Sequence, residues 1–132
     1  MDPTPTQQED AIAACVRQFY AKARQDALLG PVFNDKVEDW DLHLRIVADF
    51  WSRALLGTDR YQGKPFVVHA HLPVELEHFD RWLALFEETA RATMPTDLAG
   101  KAIEKARHVA ASFKAGIFPF VDKDGTPARR PG

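Results

Sequence analysis

Apolar residues recur at helical spacing in four stretches of the chain, and the one pair that could begin a strand, Val67-Val68, has no partner strand anywhere else. In the first stretch Ile12, Cys15, Val16, Phe19, Tyr20 and Ala23 fall at i, i+3, i+4, i+7, i+8 and i+11. That is one face of an amphipathic helix, which Thr6, with Asp10 nearby, can start. Gly30-Pro31 breaks the chain, and Phe33 follows in a short corner before Asn34 and Asp35. A second helix is expected from about Glu38 to Leu56, with Trp40, His43, Leu44, Val47, Phe50, Trp51 and Leu55 on one broad face and Gly57 as its stop. A third runs from about Val74 to Thr93, where Leu76, Phe79, Leu83 and Phe86 repeat at helical spacing and Trp82 shares their side. Met94-Pro95 separates it from a fourth, whose face is Leu98, Ala102, Ile103, Ala106, Val109, Ala110, Phe113 and Ile117. Between the second and third, Gly57, Gly63, Pro65 and Pro73 stand so close that only a short helix or irregular turn fits around residues 66–72. The expectation is an all-α domain over residues 1–120 and a polar, Pro- and Gly-rich tail, 121–132, that is mobile.

A chain of 132 residues fits one domain and can bury a core without disulfides or structural metal. Its net charge of -2 indicates no basic face large enough to hold nucleic acid or anionic lipid. Cys15 is the only cysteine, which excludes an internal disulfide and any multi-cysteine metal site and fits the reducing cytoplasm. The N-terminal MDPTPTQQED lacks the basic-then-apolar pattern of a signal, and no apolar run approaches the ~20 residues that span a bilayer. A soluble, unprocessed protein is expected. Nine Phe and three Trp form an aromatic supply suited to enclosing a large flat apolar object, although a core of big residues explains the composition more simply.

The histidines sharpen the choice. His69 lies in PFVVHAHL, an apolar segment between two prolines, where a buried imidazole must find partners for its nitrogens. Backbone carbonyls could satisfy it in a core. Alternatively one nitrogen binds a metal while the other donates to a carbonyl and fixes the ring. His43 shares its helix face with Val47, Phe50 and Trp51, and taken alone reads as packing. His71 forms an H-x-H pair with His69, a zinc spacing that still wants a third ligand, so a zinc metallohydrolase is the competing functional class. A helical interaction module without cofactor is a further alternative. His78 and His108 stand among charged residues and receive no role. Tyr20 and Trp82 fall on inner faces, where a phenol and an indole need acceptors for O–H and N–H.

Taken in order, QFYAKARQD, GPVFN, EDWDLHLRIVADFW, LLGTDRYQGKPFVVH and HFDRWLALFEE resemble a group III truncated haemoglobin, over roughly Ile12 to Phe118. The combination W-x-x-H-x-x-x-x-x-x-F-W, Y-x-G-x-P-x-x-x-H and H-F-x-x-W-x-x-x-F carries the resemblance. No two glycines are adjacent, unlike the paired glycines of other truncated globin groups. The resemblance implies a shortened globin fold, two helices over two, around a non-covalent haem b. A covalent C-x-x-C-H attachment is excluded by the sequence itself. It places the proximal iron ligand at His69 and distal, ligand-contacting roles at Tyr20, His43 and Trp82. Phe33, Val47, Phe50 and Trp51 would form haem pocket wall. Arg45, Arg60 and Lys64 are candidate cations for the haem propionates, with no choice among them. The implied partners are O2, NO and CO, with a separate reductase for any turnover. Donors at Tyr20 and Trp82 would slow O2 release and so favour nitric oxide or peroxide chemistry over transport. His43 could donate to the ligand, swing outward as a gate or bind iron itself.

Overall fold

The computed structural model describes residues 3–34, 36–61, 74–121 and 123–129. Helix α1 (Pro5–Ala23) starts at Thr4, two residues before the expected Thr6. Pro5 occupies the first turn, where its missing N–H costs nothing, and Thr4 exchanges hydrogen bonds with Gln7 in a capping box. The T-x-x-Q spacing was the signal. A five-residue helix, α2 (Gly30–Asn34), fills the corner that the sequence marked only as a break. Helix α3 (Trp40–Leu56) begins after Asp39, whose carboxylate accepts the Leu42 N–H at 3.1 Å, so Glu38 lies outside it. Gly57 ends it as expected, in the left-handed region at φ 72°. Helix α4 (Leu76–Thr93) starts two residues later than Val74, and α5 (Thr96–Ile117) follows the Met94-Pro95 break. The tail, where no strand was anticipated, carries a short antiparallel pair, β1 (Phe120–Val121) with β2 (Pro127–Ala128).

The four long helices form two layers: α1 packs with α3, α4 with α5, and the layers meet through α1 on α4 and α3 on α5. The face read from the first helix is its buried face, from Ile12 and Cys15 through Phe19, Tyr20 and Ala23. On α5 the buried positions alternate bulk with alanine, and Ala99, Ala102, Ala106 and Ala110 leave room for close approach of the facing layer. Ser52 is fully buried on α3, yet its hydroxyl is shared between the Glu9 carboxylate at 2.6 Å and the Thr58 hydroxyl at 2.7 Å.

The core is divided. A larger cluster gathers α1, the second half of α3 and the facing halves of α4 and α5 around Phe19, Trp51 and Phe86. A smaller one joins Phe79 to Ala110, Ile117 and Phe118, with Val74 and Trp82 against it. The hairpin closes this second cluster: the Arg129 guanidinium lies 4.8 Å over the Phe118 ring and donates to the Val74 carbonyl.

The corner before α2 is tied down from both sides. Asp26 accepts the N–H groups of Leu28 and Leu29 at 3.1 and 3.0 Å and pairs with Arg81 of α4 at 2.7 Å. Gly30 passes so near the chain that a Cβ there would meet the Arg24 carbonyl oxygen at 2.7 Å, which is why the break needs glycine.

Two measurements test this packing. Ala106→Leu forces bulk between α5 and the facing layer and should lower stability by about 1–3 kcal/mol in denaturant unfolding. The hydrogen-bonded Arg81 guanidinium, aided by the Leu29 N–H, holds the Asp26 carboxyl below the usual carboxylate range. The native state therefore resists protonation more than the unfolded chain does. Stability from this group is complete above the ordinary aspartate pKa of about 4 and fades as pH falls through the lower folded value. Asp26→Asn should thus destabilise the protein at neutral pH and give a shallower acid limb of stability against pH.

Candidate functional site

A cavity of about 310 Å³ lies where the two core clusters meet, walled by α2, α3, α4 and α5 and by Tyr20 of α1. Of the residues singled out in the sequence, Tyr20, Phe33, His43, Val47, Phe50, Trp51 and Trp82 all line it. They come from separate elements, so their convergence is a property of the fold. The helical spacing explains each local step: His43, Val47 and Phe50 succeed one another at i, i+4 and i+7 along one side of α3.

Aromatic contacts fix the polar members. The Phe19 ring meets Tyr20 edge-on at 5.0 Å and Trp82 at 6.2 Å, bringing both side chains to one hub. Trp82 stacks on Phe86 at 5.6 Å, and Phe86 on Trp51 at 4.8 Å, so three rings lie nearly parallel across α3 and α4. Tyr20 is further clasped by Phe33 at 5.5 Å, Trp40 at 5.6 Å and His43 at 5.1 Å. The Trp40 ring in turn meets His43 at 5.6 Å and carries the Arg24 guanidinium 4.3 Å above it. Burial pushes the Tyr20 phenol far above its ordinary pKa, so it stays a neutral O–H donor.

Several lining residues were not read from the sequence. Tyr61 stacks edge-on with Phe50 at 5.4 Å, and burial raises its pKa. Phe79, Val109, Ala110 and Phe113 build the opposite wall from α4 and α5; their helical periodicity marked them as interior without saying which interior. His78, given no role because its neighbours are charged, also lines the cavity, and its Nδ1 accepts the Glu75 backbone N–H at 2.8 Å. Charged neighbours in sequence point elsewhere on a helix; the signals that could have revealed it were its i+4 relation to Trp82 and its place at the head of H-F-x-x-W.

The candidate cations fare differently. Arg45 is exposed and does not line the cavity. Arg60 lies 3.8 Å from Glu9 and is likewise absent from the lining. Lys64, the expected proximal His69, and His71 of the zinc alternative lie outside the described residues. Among the described residues no group of three or more His, Cys, Asp or Glu side chains could hold a metal ion, and no helix is long and apolar enough to cross a membrane.

The bacterial-like globin family profile matches residues 7–119. The Group 3 truncated hemoglobin ctb of Campylobacter jejuni is 32% identical over 117 residues, which is 85% of this chain and 92% of that protein. The crystal structure of the group III truncated hemoglobin from Campylobacter jejuni superposes with a TM-score of 0.75 at 34% identity, covering 80% of this chain and 87% of that one. A globin implies a haem and small gaseous ligands. The cavity fits such a group: its walls are chiefly aliphatic and aromatic, and Ile46 lines it while 45% exposed, a large apolar side chain that a flat apolar ligand would cover. The fold, the cavity and the comparisons agree, and the chain belongs to the bacterial-like globins, as a group III truncated haemoglobin.

Proposed function

We propose that the protein binds O2, and likewise NO and CO, at the iron of a haem b ligated by His69. We further propose that slow O2 release suits it to oxidising nitric oxide or reducing peroxide more than to carrying oxygen. The observation that supports this reading is the convergence of two donor-bearing side chains, Tyr20 of α1 and Trp82 of α4, on the Phe19 ring beside one apolar cavity.

Bound haem would supply an iron able to take a diatomic ligand. The chain's own residues then decide how long a ligand stays. A partly negative ligand is held by O–H and N–H donors aimed at it, and in water-poor surroundings such bonds weigh more than they do in solvent. Tyr20 offers a phenol O–H that burial keeps protonated, and Trp82 offers an indole N–H whose ring is held by stacking on Phe86. Neither side chain need reorganise to donate, because each is wedged among other rings. Each bond to a partly charged ligand contributes on the order of 1.5–3 kcal/mol, so a pair slows dissociation by about two powers of ten or more. His43, edge-on to Tyr20, would orient that phenol or meet the ligand itself. Sustained turnover draws electrons from a separate reductase.

Stopped-flow measurement of O2 dissociation tests the pocket. Tyr20→Phe and Trp82→Phe should each accelerate release by roughly 10-fold or more, and unchanged rates in both would refute the account. Because the phenol stays neutral well above the usual tyrosine pKa of about 10, the wild-type rate should show no Tyr20-linked rise as pH passes that value. For the iron ligand, His69→Gly should abolish the five- or six-coordinate histidine-bound ferrous spectrum, with added imidazole restoring it.

A further inference from the structure

An ionised carboxylate is strongly disfavoured inside an apolar cavity unless it is paired. The propionates of a bound haem therefore belong at the mouth of this one, within reach of water and of N–H or O–H donors. Several described cations already have partners: Arg81 holds Asp26, Lys114 lies 3.6 Å from Asp80, and Arg129 holds the Val74 carbonyl. Arg60 has turned to Glu9. Among the described lining side chains, Tyr20, His43 and Trp82 belong to the aromatic cluster described above, which leaves Tyr61 and His78 as further donors.

His78 is half-buried in the first turn of α4, one turn before Trp82 on the same side, and its ring lines the cavity. Its Nδ1 accepts the Glu75 backbone N–H at 2.8 Å. A ring nitrogen that accepts carries no proton, so the neutral imidazole must carry its proton on Nε2. The cap thus sets both the orientation of the ring and its tautomer, much as a second hydrogen bond fixes a metal-bound histidine. The positive end of the α4 dipole favours an anion at the same place, and Glu75 and Glu77 of this turn are exposed to water.

Resting on the haem reading above, we propose that His78 anchors the cofactor: capped at Nδ1 by the Glu75 N–H, it donates its Nε2–H to a haem propionate at the mouth of the cavity. His78 is then a positioning residue for the haem and touches no gaseous ligand.

The test separates anchoring from mere capping. Wild type, His78→Leu and His78→Gln are each reconstituted with haem and with haem dimethyl ester, whose carboxylates are blocked. Cofactor loss to excess scavenging apoglobin is followed in the Soret band. With haem, His78→Leu should lose cofactor on the order of 10-fold faster than wild type, and His78→Gln, which keeps an N–H, should fall between. With the dimethyl ester the difference should shrink to within about 2-fold. Equal loss of haem from wild type and His78→Leu overturns the proposal. So does an acceleration just as large with the ester, which would mean that only the helix cap was lost. A wild-type protein that takes up neither cofactor would instead overturn the haem reading on which the proposal rests.

Discussion

The contacts of one phenyl ring hold the aromatic wall of the cavity together. Phe19 sits in the larger core cluster and meets Tyr20, Trp82 and Phe86, so side chains from α1 and α4 are referred to a common point. Without such a hub the two donors would ride on separate helices, and any slip between layers would part them. Aromatic contacts at these separations add about 0.5–1.5 kcal/mol each beyond the area they bury, and they restrict ring orientation. The stack from Trp51 through Phe86 to Trp82 extends the same constraint across the layers to α3, from which His43 and Phe50 reach the cavity.

Rigidity on that side is matched by division of the core. The larger cluster packs continuously through the alanines of α5, while the smaller one, around Phe79 and Phe118, closes the far end with help from the hairpin. The cavity lies at their junction, where neither cluster supplies enough side chains to fill the space between layers. An apolar surface shared by two clusters is suited to a ligand that completes both, and the α2 corner, pinned by Asp26 and by the close approach at Gly30, sets how far Val32 and Phe33 reach into it.

Much of this was legible in the sequence, for identifiable reasons. The inner faces of α1 and α5 followed from helical periodicity, and Gly57 announced the end of α3 because a left-handed residue there strongly favours glycine. The seven lining residues named from the sequence stood out only through ordered resemblance, since Tyr20 or His43 alone reads as packing. Boundaries were less so: Thr4 and Asp39 are caps decided by side-chain hydrogen bonds that periodicity does not see. The tail hairpin was missed because two-residue strands carry no pattern of their own and depend on Arg129 reaching Phe118 and Val74. Arg45 and Arg60 were chosen on charge alone, which carries no direction; only geometry shows Arg60 beside Glu9.

The lone thiol of the chain illustrates how packing can settle reactivity. Cys15 is fully buried in the larger cluster, and burial pushes its thiol pKa up, so the nucleophilic thiolate is scarce. Alkylating agents and oxidants meet little of it while the helices stay packed, and two copies of the chain cannot cross-link through it. A protein that handled reactive oxygen or nitrogen species would thereby keep its one oxidisable thiol apart from its own chemistry.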